Sequence, residues 1–286
     1  MCAPLAFRRE ICRYSRLGKN QRVLLLSDPG PFLDAVINSD NDSLAIEWPD
    51  TEAKLRPVAL AFQAKSENNV FTKCVGAMDG MLVKITQPKF VANPRCYFSG
   101  HYECFGVNIQ AVCDAFLRFT YVGTGGPGCT LDITAYNNLS LCDLVSNLPD
   151  GFHVNADAAY VLNEHVLTPF TGSSRSVPIN HIYNYYLSQL RIRIEMAFGR
   201  LTTKFRIFRT PMEVDLQKVG KIVAASCALH NYIINKQIES SVPVNETFDI
   251  VDDAHSRWTD LGYFESGDPD DDEELVGAYV NQEADL

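Results

Sequence analysis

From Cys74 to Ile85 a largely apolar run, with Met81, Val83 and Ile85 alternating on one face, predicts a β-strand. The pattern is interrupted once, at Asp79-Gly80. Phe105 to Cys113 repeats the period through Val107, Ile109 and Ala111, and Phe116 to Val122 forms a third β-rich run. Three successive strands predict a meander. A Gly/Pro-rich loop from Gly123 to Gly128 leads through Asp132 into a predicted helix from Thr134 to Val145. After the turn Pro149-Asp150-Gly151, a short strand runs from Phe152 to Ala156 and ends at Asp157. Beyond it the period lengthens to that of a helix. Tyr183, Leu187, Leu190, Ile194, Ala197, Phe198, Leu201 and Phe205 define one long helix between His181 and Lys204, and a second spans Leu216 to Ile234. Upstream, Trp48-Pro49 marks a break ahead of a helical stretch from Glu52 to Lys65. The order β-β-β-α-β followed by helices predicts an α/β fold with a mixed sheet.

The two ends carry different signals. Arg8, Arg9, Arg13, Arg16, Lys19 and Arg22 face Glu10 alone and read as a short basic helical segment. Glu10 and the weak apolar face argue against an organellar transit peptide. After Asn235 neither period persists, and the acidic block from Asp268 to Glu274 predicts a disordered tail. The expected organisation is a helical N-terminal remnant or linker over 1–70, a central domain over 71–236 and an acidic tail over 237–286.

Charge follows the same division. The net charge is -10, from 35 acidic and 25 basic residues. From Glu246 onward there are 14 acids and a single base, Arg257, so residues 1–245 hold 21 acids and 24 bases, a net of +3. Between Arg175 and Arg209 lie seven bases (Arg175, Arg191, Arg193, Arg200, Lys204, Arg206 and Arg209) and one acid, Glu195. Such a stripe suits backbone phosphates, or an ordinary solvated helix face. The nine cysteines are odd in number and form no C-x-x-C pair, which predicts reduced, buried thiols in an intracellular protein. The lone His101-x-x-Cys104 lacks the second ligand pair of a zinc site. No apolar run approaches the roughly 18 residues of a membrane span.

The chemistry-bearing positions are acids. Asp79 interrupts an apolar strand, where a lone carboxylate is costly to bury without a partner. Asp157 closes another strand, and strand ends in α/β sheets collect ligand-binding side chains. Two such strands side by side would bring the carboxylates together, and clustered carboxylates repel one another unless a proton or cation is shared. All-oxygen donors favour Mg²⁺ or Mn²⁺. Glu195 pairs with Arg191 across one helical turn in the simplest reading. Asp132 is either a metal ligand or a helix N-cap, and Asp114 belongs to a turn between strands. His230 and Asn231 lie in an apolar helix, where a satisfied structural histidine is expected. The Gly123–Gly128 loop lacks the Gly-Lys-Ser/Thr ending of a phosphate-binding P-loop.

Seven short motifs occur in order: Val75-Gly76-Ala77-Met78-Asp79-Gly80, Asn108 to Asp114, Pro127 to Asp132, Asn155-Ala156-Asp157-Ala158-Ala159-Tyr160, Leu167-Thr168-Pro169-Phe170, Glu195-Met196-Ala197-Phe198-Gly199-Arg200 and Leu229-His230-Asn231. Together, over residues 45–235, they resemble the DDE endonuclease domain of Harbinger-type transposases. The resemblance implies an RNase H-like core with Asp79, Asp157 and Glu195 as catalytic, metal-binding carboxylates and Asp132 as an accessory ligand. Two Mg²⁺ or Mn²⁺ ions would activate a water, stabilise the leaving 3′ oxygen and help the freed 3′ hydroxyl attack target DNA. Arg191, Arg193, Arg200 and Lys204 would track phosphates of double-stranded transposon ends and target, which positions DNA without reading sequence. A Myb-like DNA-binding partner, a homo-oligomer and nuclear residence are the further implications, with no membrane involvement. Two features depart from the family: the segment ahead of Asp79 is short for its usual helical DNA-binding region, and Ala158-Ala159 replace the usual Ser/Gly residues. The alternative is a domesticated, non-cutting DNA-binding or adaptor protein that keeps the fold, with the acidic tail recruiting basic partners. A carboxylate-paired glycosidase explains neither the ordered motifs nor the basic helix.

Overall fold

The structure, a computed structural model, describes residues 30–240, so the expected basic N-terminal segment and nearly all of the acidic tail lie outside the described residues. The elements are α1 (Gly30–Ile37), α2 (Glu52–Gln63), β1 (Cys74–Lys84), β2 (Phe98–Ser99), β3 (Cys104–Cys113), β4 (Phe119–Pro127), α3 (Asp132–Asn137), α4 (Ser140–Ser146), β5 (His153–Asn155), β6 (Val166–Leu167), α5 (Pro178–Lys204) and α6 (Leu216–Glu239).

Six strands form one mixed sheet in the order β2-β3-β1-β5-β6, with β4 also against β3. The β1, β3 and β4 pairings are antiparallel, as the meander predicts, whereas β1–β5 and β5–β6 are parallel. Alternation in β1 and β3 divides the apolar side chains between two buried clusters. Ala77, Val83, Ile109, Ala111 and Cys113 join Leu187, Leu190, Ile194, Leu201 and Val223 of α5 and α6, together with Leu33 and Val36 of α1. Val75, Met78, Val112 and Val154 pack with Leu55 and Ala59 of α2, Tyr136 of α3 and Leu141 and Val145 of α4. Covered on both sides, the sheet can hold polar groups only where they find partners. Gly76 allows β1 and β3 to approach, since a Cβ there would lie 2.4 Å from Val112 Cγ1.

The structure corrects several boundaries. The single helix expected from Thr134 to Val145 is two short ones, α3 and α4, separated at Asn138-Leu139, where Leu139 is extended (φ -103, ψ 154). The third strand begins at Phe119 rather than Phe116 because Asp114 organises the preceding turn. Its Oδ1 accepts from the backbone N–H groups of Phe116 and Arg118, both at 2.9 Å, and its Oδ2 accepts from Arg118 Nε at 2.7 Å. The last helix continues past Asn235 to Glu239. Ahead of Trp48, α1 buries Leu33 and Val36, and Leu44 is buried in the segment that follows it.

Candidate active site

Register brings the first two acids together. Ala77 of β1 pairs in parallel with Asn155 of β5, so the residues two further along each chain, Asp79 and Asp157, leave that pairing at the same level of the sheet. Asp79 remains in the strand opposite Ala111 of β3, and its Oδ1 accepts from the Gly80 N–H at 2.7 Å. Asp157 lies past the end of β5, where its Oδ1 accepts from the Ala159 N–H at 2.9 Å and shapes the turn to Tyr160. Glu195 arrives from α5. The helix buries Leu187, Leu190, Ile194, Ala197 and Leu201, so Glu195 sits one position round from its most buried stripe, half-buried at the sheet. Its carboxylate is held by the Arg191 guanidinium one turn earlier.

Burial pushes the Asp79 carboxyl well above the usual carboxylate range, the charges of Asp157 and Glu195 push it further, and Arg191 and the Gly80 N–H oppose them. Burial likewise raises Asp157 and Glu195; Arg191 opposes both, Asp132 adds to the rise at Asp157, and Asp157 adds to that at Glu195. Three carboxylates far apart in sequence therefore feel one another's charge, with Arg191 as the cation they share.

Asp132 reaches the same neighbourhood by another route. It is the first residue of α3, but Leu131 occupies the N-cap position, and the Asp132 side chain does not cap its helix. It turns to the sheet, where Oδ1 accepts from Asn108 Nδ2 at 2.8 Å and Gln110 Nε2 at 2.9 Å. Gly80 provides the space: a Cβ there would stand 2.0 Å from Asp132 Oδ1 and 2.8 Å from Gln110 Nε2.

The four expected phosphate contacts separate. Lys204 is exposed at the end of α5, and Arg191 and Arg200 are half-buried. Arg193 is a correction: it lies in the core face of α5 at 9% exposure, close enough to Cys113 for its charge to be felt there, so it does not front the solvent where a phosphate would pass. His230 and Asn231 serve the fold. His230 Nε2 meets Leu117 O at 2.8 Å, and Asn231 both accepts from the Phe119 N–H and donates to Phe119 O, each at 2.8 Å. The polar partners that the sequence reading left without a role are Asn108, Gln110 and Tyr160. The signal for Asn108 and Gln110 is two polar residues, spaced by two, in an otherwise apolar strand.

The donor set suits a hard divalent cation: carboxylate oxygens that repel one another in a largely buried place and have one arginine between them. As the side chains stand, no group of three His, Cys, Asp or Glu among the described residues is arranged to hold a metal ion, and Glu195 is engaged by Arg191.

The order of motifs, the mixed sheet and the convergence of Asp79, Asp157 and Glu195 define a nuclease-type domain, and the chain belongs to the DDE superfamily endonuclease family, whose model matches residues 78–231. It is similar to Protein ALP1-like of Arabidopsis thaliana, at 25% identity over 233 residues, covering 76% of this chain and 53% of that protein. The chain thus spans about half the length of the curated relative it matches. No solved structure matches. Among the described residues no helix is long and apolar enough to cross a membrane.

Proposed function

We propose that the chain is a Harbinger-type transposase or a recent derivative, built on an RNase H-like core, that hydrolyses phosphodiester bonds of double-stranded DNA and joins the freed end to target DNA. The observation that carries the proposal is the electrostatic convergence of Asp79, Asp157 and Glu195 from β1, the end of β5 and α5. These three, with Asp132, would hold two Mg²⁺ or Mn²⁺ ions. The chemistry such ions supply when bound is activation of a water and neutralisation of charge on the departing 3′ oxygen. The chain's own part is to fix oxygen donors on a rigid sheet and to keep Arg191 beside Glu195 until a stronger cation competes for that carboxylate. Arg200 and Lys204, on the last turns of the same helix, would meet backbone phosphates. The endonuclease domain would occupy residues 71–236, the acidic tail the region beyond, and nuclear residence, a Myb-like partner and self-association would follow from the DNA substrate.

The Arg191–Glu195 pair, and the want of a three-acid metal arrangement among the described residues, favour one rival: a DNA-binding or adaptor protein that keeps the fold without cutting. One assay separates the two. Purified protein is incubated with an end-labelled duplex and Mg²⁺, Mn²⁺ or EDTA, beside Glu195→Gln. Metal-dependent nicking that vanishes in the variant supports the nuclease. Duplex binding without nicking, including in the presence of a Myb-like partner, supports the adaptor.

A further inference from the structure

The candidate site leaves the composition of the connection between β1 and β3 unexplained. Residues 80–102 contain Lys84, Lys89 and Arg95 and no acid, and residues 196–212 contain Arg200, Lys204, Arg206 and Arg209 and no acid. The fold joins these two segments. Ile85 bridges Met212 in parallel, the Thr86 N–H donates to Met212 O at 3.0 Å, and the Met212 N–H donates to Lys84 O at 2.9 Å. Lys89 follows Thr86 by three residues and Arg209 precedes Met212 by three, so the backbone of each lies within about 11 Å of this junction. Lys89, Arg95, Lys204, Arg206 and Arg209 are exposed, and among the described residues none of them is paired with an acid.

Aromatic rings stand out from the same connection. Phe90 is wholly exposed, at 103%, and Phe98 is exposed at 42%. Phe98 belongs to β2, which pairs with the start of β3, the end of that strand where Gly106 meets Lys84. A single apolar side chain in water needs no explanation. Phe90 differs because it directly follows a cation and its backbone is held in the left-handed region (φ 63), which a bulky residue rarely adopts. Glycine or asparagine would suit such a turn better, so the ring does not serve the fold. Cations that track phosphates, interleaved with rings that stack on bases, equip a surface for nucleic acid. β1 and α5 both lead from the candidate site to the Ile85–Met212 junction. Asp79 to Lys84 covers roughly 17 Å of strand, and Glu195 to Lys204 roughly 13 Å of helix. At about 3.4 Å per base pair, that is about four or five base pairs along a duplex.

We propose that the β1–β3 connection is a further DNA contact of this domain. Lys89 and Arg95, with Arg206 and Arg209 across the Ile85–Met212 junction, hold backbone phosphates of a duplex, and Phe90 enters a base step about four or five base pairs from the carboxylates. The inference rests on the double-stranded DNA substrate proposed above and needs no bound metal. Each phosphate contact adds to the salt dependence of binding, whereas an inserted ring adds affinity that salt does not screen. Phe90 and the cations therefore leave separable signatures.

The test is binding of the full chain to a fluorescein-labelled DNA duplex in EDTA, followed by anisotropy over a series of salt concentrations. Wild type is compared with Phe90→Ala, Lys89→Ala, Arg95→Ala and, as a charge control on α2, Lys54→Ala; all four side chains are exposed, and circular dichroism checks the fold. Phe90→Ala is expected to weaken binding by about five- to a hundredfold at every salt concentration, with the slope of log K against log[salt] unchanged. Phe90→Asn, which suits the left-handed backbone, repeats that measurement without a cost to folding. Lys89→Ala and Arg95→Ala are each expected to reduce the slope by about 1, and Lys54→Ala to leave it unchanged. With 2-aminopurine replacing the adenines of one strand, wild type should raise the fluorescence of the duplex and Phe90→Ala should not. Unchanged affinity in Phe90→Ala and Phe90→Asn, or unchanged slopes in Lys89→Ala and Arg95→Ala, would overturn the inference and leave the DNA reading standing. A wild type that binds no duplex at low salt defeats the DNA reading itself. Binding to phosphatidylserine vesicles that Phe90→Ala abolishes, beside unchanged duplex binding, would overturn the inference in favour of a membrane surface.

Discussion

His230 gives the sharpest quantitative expectation. It is buried on α6, packs its ring against Phe119 with centroids 5.1 Å apart, and has Nε2 2.8 Å from Leu117 O. A carbonyl only accepts, so Nε2 carries the hydrogen and the neutral ring already satisfies the contact. Burial pushes the imidazole down to about 4 from an ordinary 6.5, the Arg200 charge pushes the same way, and the hydrogen bond to Leu117 only partly opposes them. A histidine with a depressed folded value contributes its full stability above the unfolded value, and the contribution is lost as pH falls from 6.5 through about 4. Linkage between those two values gives a loss of about 2.5 kcal/mol between pH 7.5 and pH 4.5. His230→Gln keeps an N–H donor near the same place and removes the titration, at a packing cost of about 1 kcal/mol from the lost ring contact. Urea unfolding at several pH values should therefore find the variant less stable than wild type near neutrality and the gap closing or reversing on acidification. The buried acids titrate in both proteins and cancel in the difference. A wild-type-minus-variant gap that stays constant from pH 7.5 to pH 4.5 would refute the assignment of a neutral, desolvated imidazole.

Three further outcomes follow from the carboxylates. Asp79 has a folded-state value raised above its unfolded one, so its favourable contribution exists at low pH and is lost as pH rises through the raised value. Asp79→Asn should accordingly raise the melting temperature of the metal-free protein at neutral pH and abolish the stabilisation by Mn²⁺, which at a hundredfold excess over Kd is about 2.7 kcal/mol in wild type; a lower melting temperature with the Mn²⁺ effect intact would contradict both. Gly80→Ala puts a methyl group where Asp132 Oδ1 and Gln110 Nε2 lie and should cost about 1–3 kcal/mol in denaturant unfolding; a neutral result would mean that Asp132 yields freely. Asp157→Asn should eliminate metal-dependent nicking while the circular dichroism spectrum is unchanged, and full cleavage by a folded variant would remove Asp157 from the proposed site.

What was legible in the sequence was whatever one chain segment determines by itself. The alternation of Met81, Val83 and Ile85 and of Val107, Ile109 and Ala111 placed β1 and β3, and the spacing of Leu187, Leu190, Ile194 and Leu201 placed α5. The break between α3 and α4 was missed because the apolar pattern continues across it; Asn137-Asn138, weak helix formers side by side, were the available sign. The two-residue strands β2 and β6 exist only through their pairing with β3 and β5, and no period can show in two residues. Arg193 was misread for a related reason. Seven bases in a stripe look alike in sequence, whereas on the helix Arg193 falls one position before Ile194 and turns into the core.

The candidate site followed the same logic with one exception. Asp79 and Asp157 stood out because a charge in or at the end of an apolar strand needs an explanation, and parallel pairing of β1 with β5 supplies the meeting that neither segment could show alone. Asn108 and Gln110 posed the same question more quietly: two uncharged polar residues at strand period in a segment apolar at the alternate positions. If one face of β3 were wet, they would be its solvent side and need no partner. Because α3 and Tyr160 cover that face, their hydrogen bonds must close within the protein, and they close on Asp132 and Tyr160. Period-two polarity in a strand therefore means surface or site according to what covers it, which only the tertiary structure decides. Here the covering helix begins with the acid that the amides hold, and the nearby strand has a glycine where any side chain would push that acid away.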